Sequence, residues 1–279
     1  MRIAGLMGSA ALAVLVGFST PAVAADAPTV AAGEAYVVDS AGTIHLGKRQ
    51  TRRVPVASLV KVMTAYVVLR EAGLGDTITI TGADVKYAAK GGATTAGLRE
   101  GERLTVRDLL YGLLLPSGAD AANALARRYG PGKAAFVAKM NRTARALGLA
   151  DTRYTNADGL PAPANGGWST AADQVKLAQR ALANGTFRSL VGTRTHKVAK
   201  TSVHRAHTWH NSNKLLSRSP DVLGVKTGYT KAAGYCLLFA GERNGRQVVG
   251  VLLGDSSAER RFTTAERLLD YAGEQIAFG

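Results

Sequence analysis

Ala57-Ser58-Leu59-Val60-Lys61-Val62-Met63-Thr64-Ala65-Tyr66-Val67-Val68-Leu69 is a run of apolar side chains interrupted by a single cation. Pro55 precedes it and Gly73 and Gly75 follow, which predicts a helix from about Ala57 to Glu71. A helix that is apolar nearly all round is buried. Lys61 has no Asp or Glu three or four residues away to neutralise it, and Ser58 stands one turn back on the same face. Loss of water disfavours the charged amine. The amine can then take a proton from the neighbouring hydroxyl and turn that serine into a nucleophile. The start of a helix adds backbone N–H groups and a positive dipole end, both suited to an oxyanion. A capping serine beside a snorkelling lysine has the same spacing, so the choice rests on the rest of the chain.

On the N-terminal side, Ala35 to Asp39 reads as a strand, Asp39-Ser40-Ala41-Gly42 as a turn, and Thr43 to Leu46 as a returning strand. On the C-terminal side, a short β segment at Thr77 to Thr81 leads into a Gly-rich polar stretch ending at Gly101. Thr105 with Asp108 makes a capping box ahead of Leu109 to Leu115, and Ser117 with Asp120 repeats that signature ahead of Ala121 to Tyr129. After Gly130-Pro131 a helix runs to Leu147, with Gly148 closing it. Residues 149–168 read as a long loop, and Thr170 with Asp173 caps a helix reaching Asn184-Gly185. Tyr235 to Glu242 and Gln247 to Leu253 are apolar strands joined across Asn244-Gly245, a strong hairpin signal. A last helix spans about Ala258 to Tyr271. Strands at both ends and helices in the middle imply an α+β fold, with one sheet built from both termini and a helical insertion.

The chain has 279 residues, is 46% hydrophobic and 20% charged, and carries 35 Lys and Arg against 20 Asp and Glu. With a mean hydropathy near zero, this excludes a disordered chain, a collagen-like fibre and a polytopic membrane protein. Arg2, an apolar run from Ile3 to Phe18 and Ala22-Val23-Ala24 have the form of a signal peptide over residues 1–24. No later run is long enough to span a membrane, so an exported chain with no integral membrane segment after cleavage is expected. The formal charge of +15 favours anionic surfaces. The basic residues are scattered, and the one tight cluster, Lys48-Arg49-Gln50-Thr51-Arg52-Arg53, lacks interleaved aromatics, so a nucleic-acid partner is not expected.

Val225-Lys226-Thr227-Gly228-Tyr229 lies ahead of the hairpin, where an edge strand is expected. It offers a cation, a hydroxyl donor and a close backbone approach, a set that suits a carboxylate. These pieces, in this order, resemble the serine D-alanyl-D-alanine peptidases, the low-molecular-mass penicillin-binding proteins related to class A β-lactamases. The resemblance runs through Ala57 to Ala65, Leu104 to Leu114, Asn156-Ala157-Asp158-Gly159-Leu160 and Ser169 to Asp173. It continues through Asn211-Ser212-Asn213-Lys214-Leu215-Leu216, Lys226 to Thr230 and Ala233-Gly234-Tyr235-Cys236.

The resemblance implies a β-lactamase/D,D-peptidase-like fold over residues 25–279. A sheet subdomain would comprise about 28–80 and 186–279, a helical subdomain about 81–185, with neither a C-terminal β domain nor an anchor helix. It implies D,D-carboxypeptidase action on peptidoglycan stem peptides through an acyl-enzyme, and acylation by β-lactam antibiotics. Ser58 would be the nucleophile, Lys61 the general base and Ser117 a proton relay. Lys226 and Thr227 would hold the terminal carboxylate, and Gly228 would let the strand approach. The backbone N–H groups of Ser58 and Tyr229 would form the oxyanion hole. No cofactor and no metal are implied. A secreted protein, held at the wall by its charge on anionic polymers, is the expected location. Water and an amine can both resolve the acyl-enzyme, so transpeptidation stays open, as do a β-lactamase and a non-catalytic wall-binding or β-lactam-sensing protein.

The family's middle motif is usually Ser-x-Asn, but here it reads Ser117-Gly118-Ala119. Ala119 carries no side-chain role, and Asn123, one turn on, is read as an exposed helix residue. His204, His207 and His210 have no acid within ten residues and are read as part of a polar strand or loop. Trp168 and Trp209 are read as packing residues, and Cys236 as buried and inert in a central strand.

Overall fold

A computed structural model describes residues 26–90, 93–219 and 221–278; the segment read as a signal peptide, residues 1–24, lies outside them. The chain opens with β1 (Glu34–Asp39) and β2 (Ile44–Lys48), then a 3-10 turn at Ala57–Leu59 that runs directly into α1 (Val60–Leu69). The helical middle comprises β3 (Thr77–Thr79), α2 (Gly82–Lys90), β4 (Arg103–Thr105), α3 (Val106–Leu114), α4 (Ala119–Tyr129) and α5 (Lys133–Ala146). Short strands β5 (Arg153–Tyr154) and β6 (Gly167–Trp168) precede α6 (Ala171–Leu182) and α7 (Gly185–Gly192). The chain closes with β7 (Thr195–Val198), β8 (His207–His210), β9 (Val222–Thr230), β10 (Gly234–Arg243), β11 (Arg246–Asp255) and α8 (Arg260–Phe278).

The main sheet has the order β2-β1-β11-β10-β9, antiparallel throughout. Its two ends of chain meet where β1 pairs with β11, and β9 is an edge, as read from the sequence. Asn244 and Gly245, with φ of 48° and 75°, form the turn between β10 and β11. Alternation along the strands divides the core between the two faces. Cys236, Leu238, Ala240, Val249 and Val251 join α1 and α6 on one face. Ala35, Val37, Leu237, Phe239, Val248 and Leu252 meet Phe262, Ala265, Leu268, Leu269 and Ala272 of α8 on the other. The α8 residues recur at three and four, which makes one apolar stripe. Phe239 lies opposite Gly250 of β11, whose missing side chain leaves room for the ring. Phe239→Ala is therefore expected to cost about 3–5 kcal/mol, read from denaturant unfolding; a loss within experimental error would contradict this packing.

The structure departs from the sequence reading at several elements. Gly82–Lys90 is a helix rather than part of a Gly-rich coil: Asp84 accepts from the Thr81 N–H and hydroxyl and receives Arg127, which fixes its first turn. Asn184 caps a separate helix, α7, by accepting from the Phe187 N–H. Residues 149–168 contain the β5–β6 pair. Ser117 does not cap α4; its φ is +69° and Gly118 occupies the cap position. Asp120 instead accepts from the N–H groups of Ala96 and Leu98, at 2.8 and 3.0 Å, so a residue of cap type ties down a distant segment. Thr105 and Thr170 cap α3 and α6 as read, each accepting from the N–H three residues on at 3.1 Å, but the acids do not complete the box: Asp108 accepts from the Thr105 hydroxyl and Asp173 from Thr152.

Candidate active site

A cavity of about 430 Å³ opens between the edge strand β9 and the helical layer. Its walls include Ser58 and Lys61, Ser117, Thr227 to Tyr229, and the Gly159-Leu160-Pro161 loop. The helix that decided the sequence reading forms its floor. Ala57, with φ of +49°, turns the chain sharply, and Ser58 follows in the 3-10 turn ahead of α1. This turn places the Lys61 Nζ 3.0 Å from the Ser58 Oγ. Lys61 is 1% exposed, and its second partner is the Asp158 carbonyl oxygen at 2.6 Å. Burial pulls its pKa down to about 8, against an opposing pull from the Asp158 and Asp120 carboxylates. At that value about a tenth of the amine is unprotonated at pH 7, far more than for an ordinary lysine, and can accept a proton from Ser58.

Ser117 enters from the turn between α3 and α4. Its hydroxyl is buried and makes no hydrogen bond among the described residues, and its positive φ is a conformation that costs a non-glycine residue about 1–2 kcal/mol. A strained backbone and an unpartnered buried hydroxyl in a cleft are the features of a group held ready for a ligand or a proton. Ala119 is fully buried and does not line the cavity. Asn123 is buried too, not exposed as read from the sequence; its amide donates to the Ala119 carbonyl at 2.6 Å, because the first turn of α4 faces the core.

On the opposite wall, Thr227 presents its hydroxyl 2.6 Å from that of Ser212. Lys226, one residue back and therefore on the other face of β9, points into the protein and donates to the Thr227 carbonyl at 3.1 Å. Lys226 is 1% exposed, and its amine lies within electrostatic reach of Lys61. Burial, with repulsion from Lys61 and Arg261, holds its pKa well below that of an ordinary lysine. Gly228 is required by proximity: a Cβ there would lie 3.1 Å from the Ser58 N and 3.2 Å from the Val56 carbonyl oxygen. Tyr229 is 55% exposed at the mouth and stacks on Tyr235 with ring centroids 4.3 Å apart.

The sequence reading assigned no role to three further cavity residues or neighbours. Arg261 of α8 lines the cavity and donates from Nη1 to the carbonyls of Gly228 and Cys236, each at 2.9 Å, fixing the end of β9. Ser212 joins the hairpin β7–β8 to both walls, through its N–H to the Leu115 carbonyl and its hydroxyl to Thr227. Asp158 meets Lys61 through its backbone, where no side-chain pattern marks it. Arg261 carries no local signal because it reaches the site only through the packing of the last helix.

The weaker sequence candidates lie elsewhere. His207 faces Glu102 at 3.1 Å, and among the described residues no group of three His, Cys, Asp or Glu could hold a metal. Trp209 is buried and donates to the Ala96 carbonyl at 2.8 Å. Burial pushes the Cys236 thiol up to about 11, which keeps it in the unreactive protonated form.

A family model described as D-alanyl-D-alanine carboxypeptidase matches residues 21–257. A D-alanyl-D-alanine carboxypeptidase of Streptomyces sp. (strain K15) is 40% identical over 266 residues, with 91% of each chain covered. D-alanyl-D-alanine carboxypeptidase DacB2 of Mycobacterium tuberculosis is 38% identical over 208 residues, covering 75% of this chain and 69% of the relative. Among solved structures, the Streptomyces K15 DD-transpeptidase superposes with a TM-score of 0.83 at 38% identity, covering 88% of this chain and 98% of that one.

Proposed function

The chain belongs to the D-alanyl-D-alanine carboxypeptidase family of serine peptidases, and on that premise we propose a division of labour among its cleft residues. Ser58 Oγ attacks the carbonyl carbon of the penultimate D-Ala while Lys61 takes its proton. The Ser58 and Tyr229 N–H groups receive the oxyanion. The C–N bond to the terminal D-Ala then breaks, and the proton passes from Lys61 through Ser117 to the departing amine. Water adds to the ester, its proton returns to Ser58, and a shortened peptide leaves. A β-lactam enters the same sequence at its ring carbonyl.

The observation that carries this reading is the 3.0 Å contact between Lys61 and Ser58 on the floor of the cavity, with the amine tuned to about 8. Thr227 supplies the donor for the terminal carboxylate. Lys226 stands behind it, and an arriving carboxylate favours the return of the proton that burial drives off. Below about pH 8 Lys61 is increasingly protonated and cannot serve as a base, so the rate should fall tenfold per pH unit on the acid side. The test is release of D-alanine from an N-acylated peptide ending in D-Ala-D-Ala, followed from pH 5 to 10. A kcat/KM that climbs to a plateau through about pH 8 is expected, and a flat profile would overturn Lys61 as the base.

Added amine acceptors would divert the acyl group to a new peptide bond through the same intermediate; the partition ratio measures how far this chain acts as a transpeptidase. Members of this family are extracytoplasmic peptidoglycan enzymes, and no described helix is long and apolar enough to cross a membrane. We place the mature protein outside the cell at the wall, retained by its strong positive charge (+15 for the full chain, less Arg2 on cleavage) on anionic polymers, an association that salt should weaken.

A further inference from the structure

Asp158 is a buried carboxylate, 1% exposed, that the acyl-transfer steps above do not use. Its surroundings differ from those of Asp120, the other acid whose charge reaches Lys61. Asp120 is committed to the fold, accepting from the N–H groups of Ala96, Leu98 and Ala121. The Asp158 carboxylate accepts a backbone bond from the Leu160 N–H at 3.0 Å, and its charge reaches the hydroxyl of Tyr87 on α2, pushing that group's pKa up. Its own carbonyl oxygen is the 2.6 Å partner of the Lys61 amine. The loop that carries it is clamped in place. Asn156 accepts from the Asp158 and Gly159 N–H groups at 3.3 and 2.7 Å, and Gly159 packs directly on the Ala57 carbonyl.

With alanine at 119, no amide from α4 reaches the lysine. The hydrogen-bond partners of Lys61 among the described residues are Ser58 and Asp158. An acid buried at that point, on a rigid loop and with little to do for the fold, acts on the neighbouring amine. We propose that Asp158, backed by Tyr87, is a positioning residue for Lys61: its carbonyl aims the amine at Ser58 and its carboxylate balances the amine's charge from behind. This rests on the reading of Lys61 as the base. The charged groups that bear on the pair are Asp120 from α4 and Lys226 from β9. Arg261 of α8 lines the same cavity, and Lys133 lies 4.3 Å from the centre of the Tyr87 ring on the far side.

The test follows the rate of acylation by benzylpenicillin across pH 5 to 10 for the wild type, Asp158→Asn, Tyr87→Phe and Lys61→Ala, with thermal melting to establish folding. Asp158→Asn keeps the carbonyl and removes the charge. Its acid limb should move down by about one pH unit, so that acylation at pH 6, relative to the plateau, rises about tenfold. Tyr87→Phe leaves the carboxylate charged but without the hydroxyl that disperses its charge, and should move the limb up. A purely structural role would lower the plateau and leave the limb where it was, and limbs unchanged in both folded variants would overturn the proposal. If Asp158→Asn does not fold, the direction of the Tyr87→Phe shift decides: an upward shift supports the proposal, and no shift or a downward one overturns it. Normal acylation of Lys61→Ala would instead overturn the reading of Lys61 as base, and the proposal with it.

Discussion

Ser58→Ala is expected to abolish the covalent adduct that the wild-type protein forms with a penicillin. The hydroxyl is the atom that becomes the ester, so its loss should lower acylation by at least about three orders of magnitude. Intact-mass measurement gives the answer directly, because only the wild type should gain the mass of the antibiotic. The substitution removes one hydrogen bond from a half-buried group while the Asp158 carbonyl still holds Lys61, so stability should change by no more than about 1 kcal/mol. A folded variant that still carries an adduct would move the nucleophile elsewhere. Ser117 would be the first alternative, because its buried hydroxyl is unpartnered in the same cavity.

Gly159→Ala should disable the site from the other side. The glycine has φ of +79°, and a Cβ on it would collide with the Ala57 carbonyl group, which is backbone and has no rotamer to yield. Either the loop carrying Asp158 retreats from Lys61 or Ala57 pushes Ser58 out of line. A displacement of about 1 Å at a reacting group costs roughly a hundredfold in rate. Acylation should fall by about that factor, with a loss of melting temperature. Gly148→Ala is the matched control. Gly148 also has a positive φ, +67°, but its Cβ would meet the end of a flexible side chain, Lys176 Nζ. It should lose about 1–2 kcal/mol of stability and acylate normally. Equal acylation by the two variants would remove the argument that the 159 position holds the catalytic geometry.

The candidate site was legible in the sequence to the extent that it follows from local rules. Ser58 and Lys61 are three residues apart in one helical turn, so their contact needs only the helix to form. The Asn244-Gly245 hairpin and the Thr105 and Thr170 caps are likewise contained in four or five residues. Where the reading failed, a residue with a strong local signature took a distant partner instead. Asp120 reads as a capping acid but binds the backbone of Ala96 and Leu98, and Asn123 reads as a surface amide but is turned into the core. Local pattern states what a side chain is able to bond; burial decides which partner it meets.

By itself the sequence determined that a lysine in an almost wholly apolar helix stands one turn from a serine, that both termini contribute strands, and that Lys226 and Thr227 lie ahead of a hairpin. These follow from hydrophobic period, turn chemistry and the cost of burying an unpaired charge. Only the tertiary structure decided that Thr227 lines the cavity while Lys226 is buried, because the two faces of a strand become distinct only when one is covered. It also brought Arg261 from the last helix to the end of β9, and the Asp158 carbonyl to the Lys61 amine. Those contacts join residues about 25 to 100 positions apart, a separation at which no local propensity acts and the packing of α1 and α8 selects the neighbours.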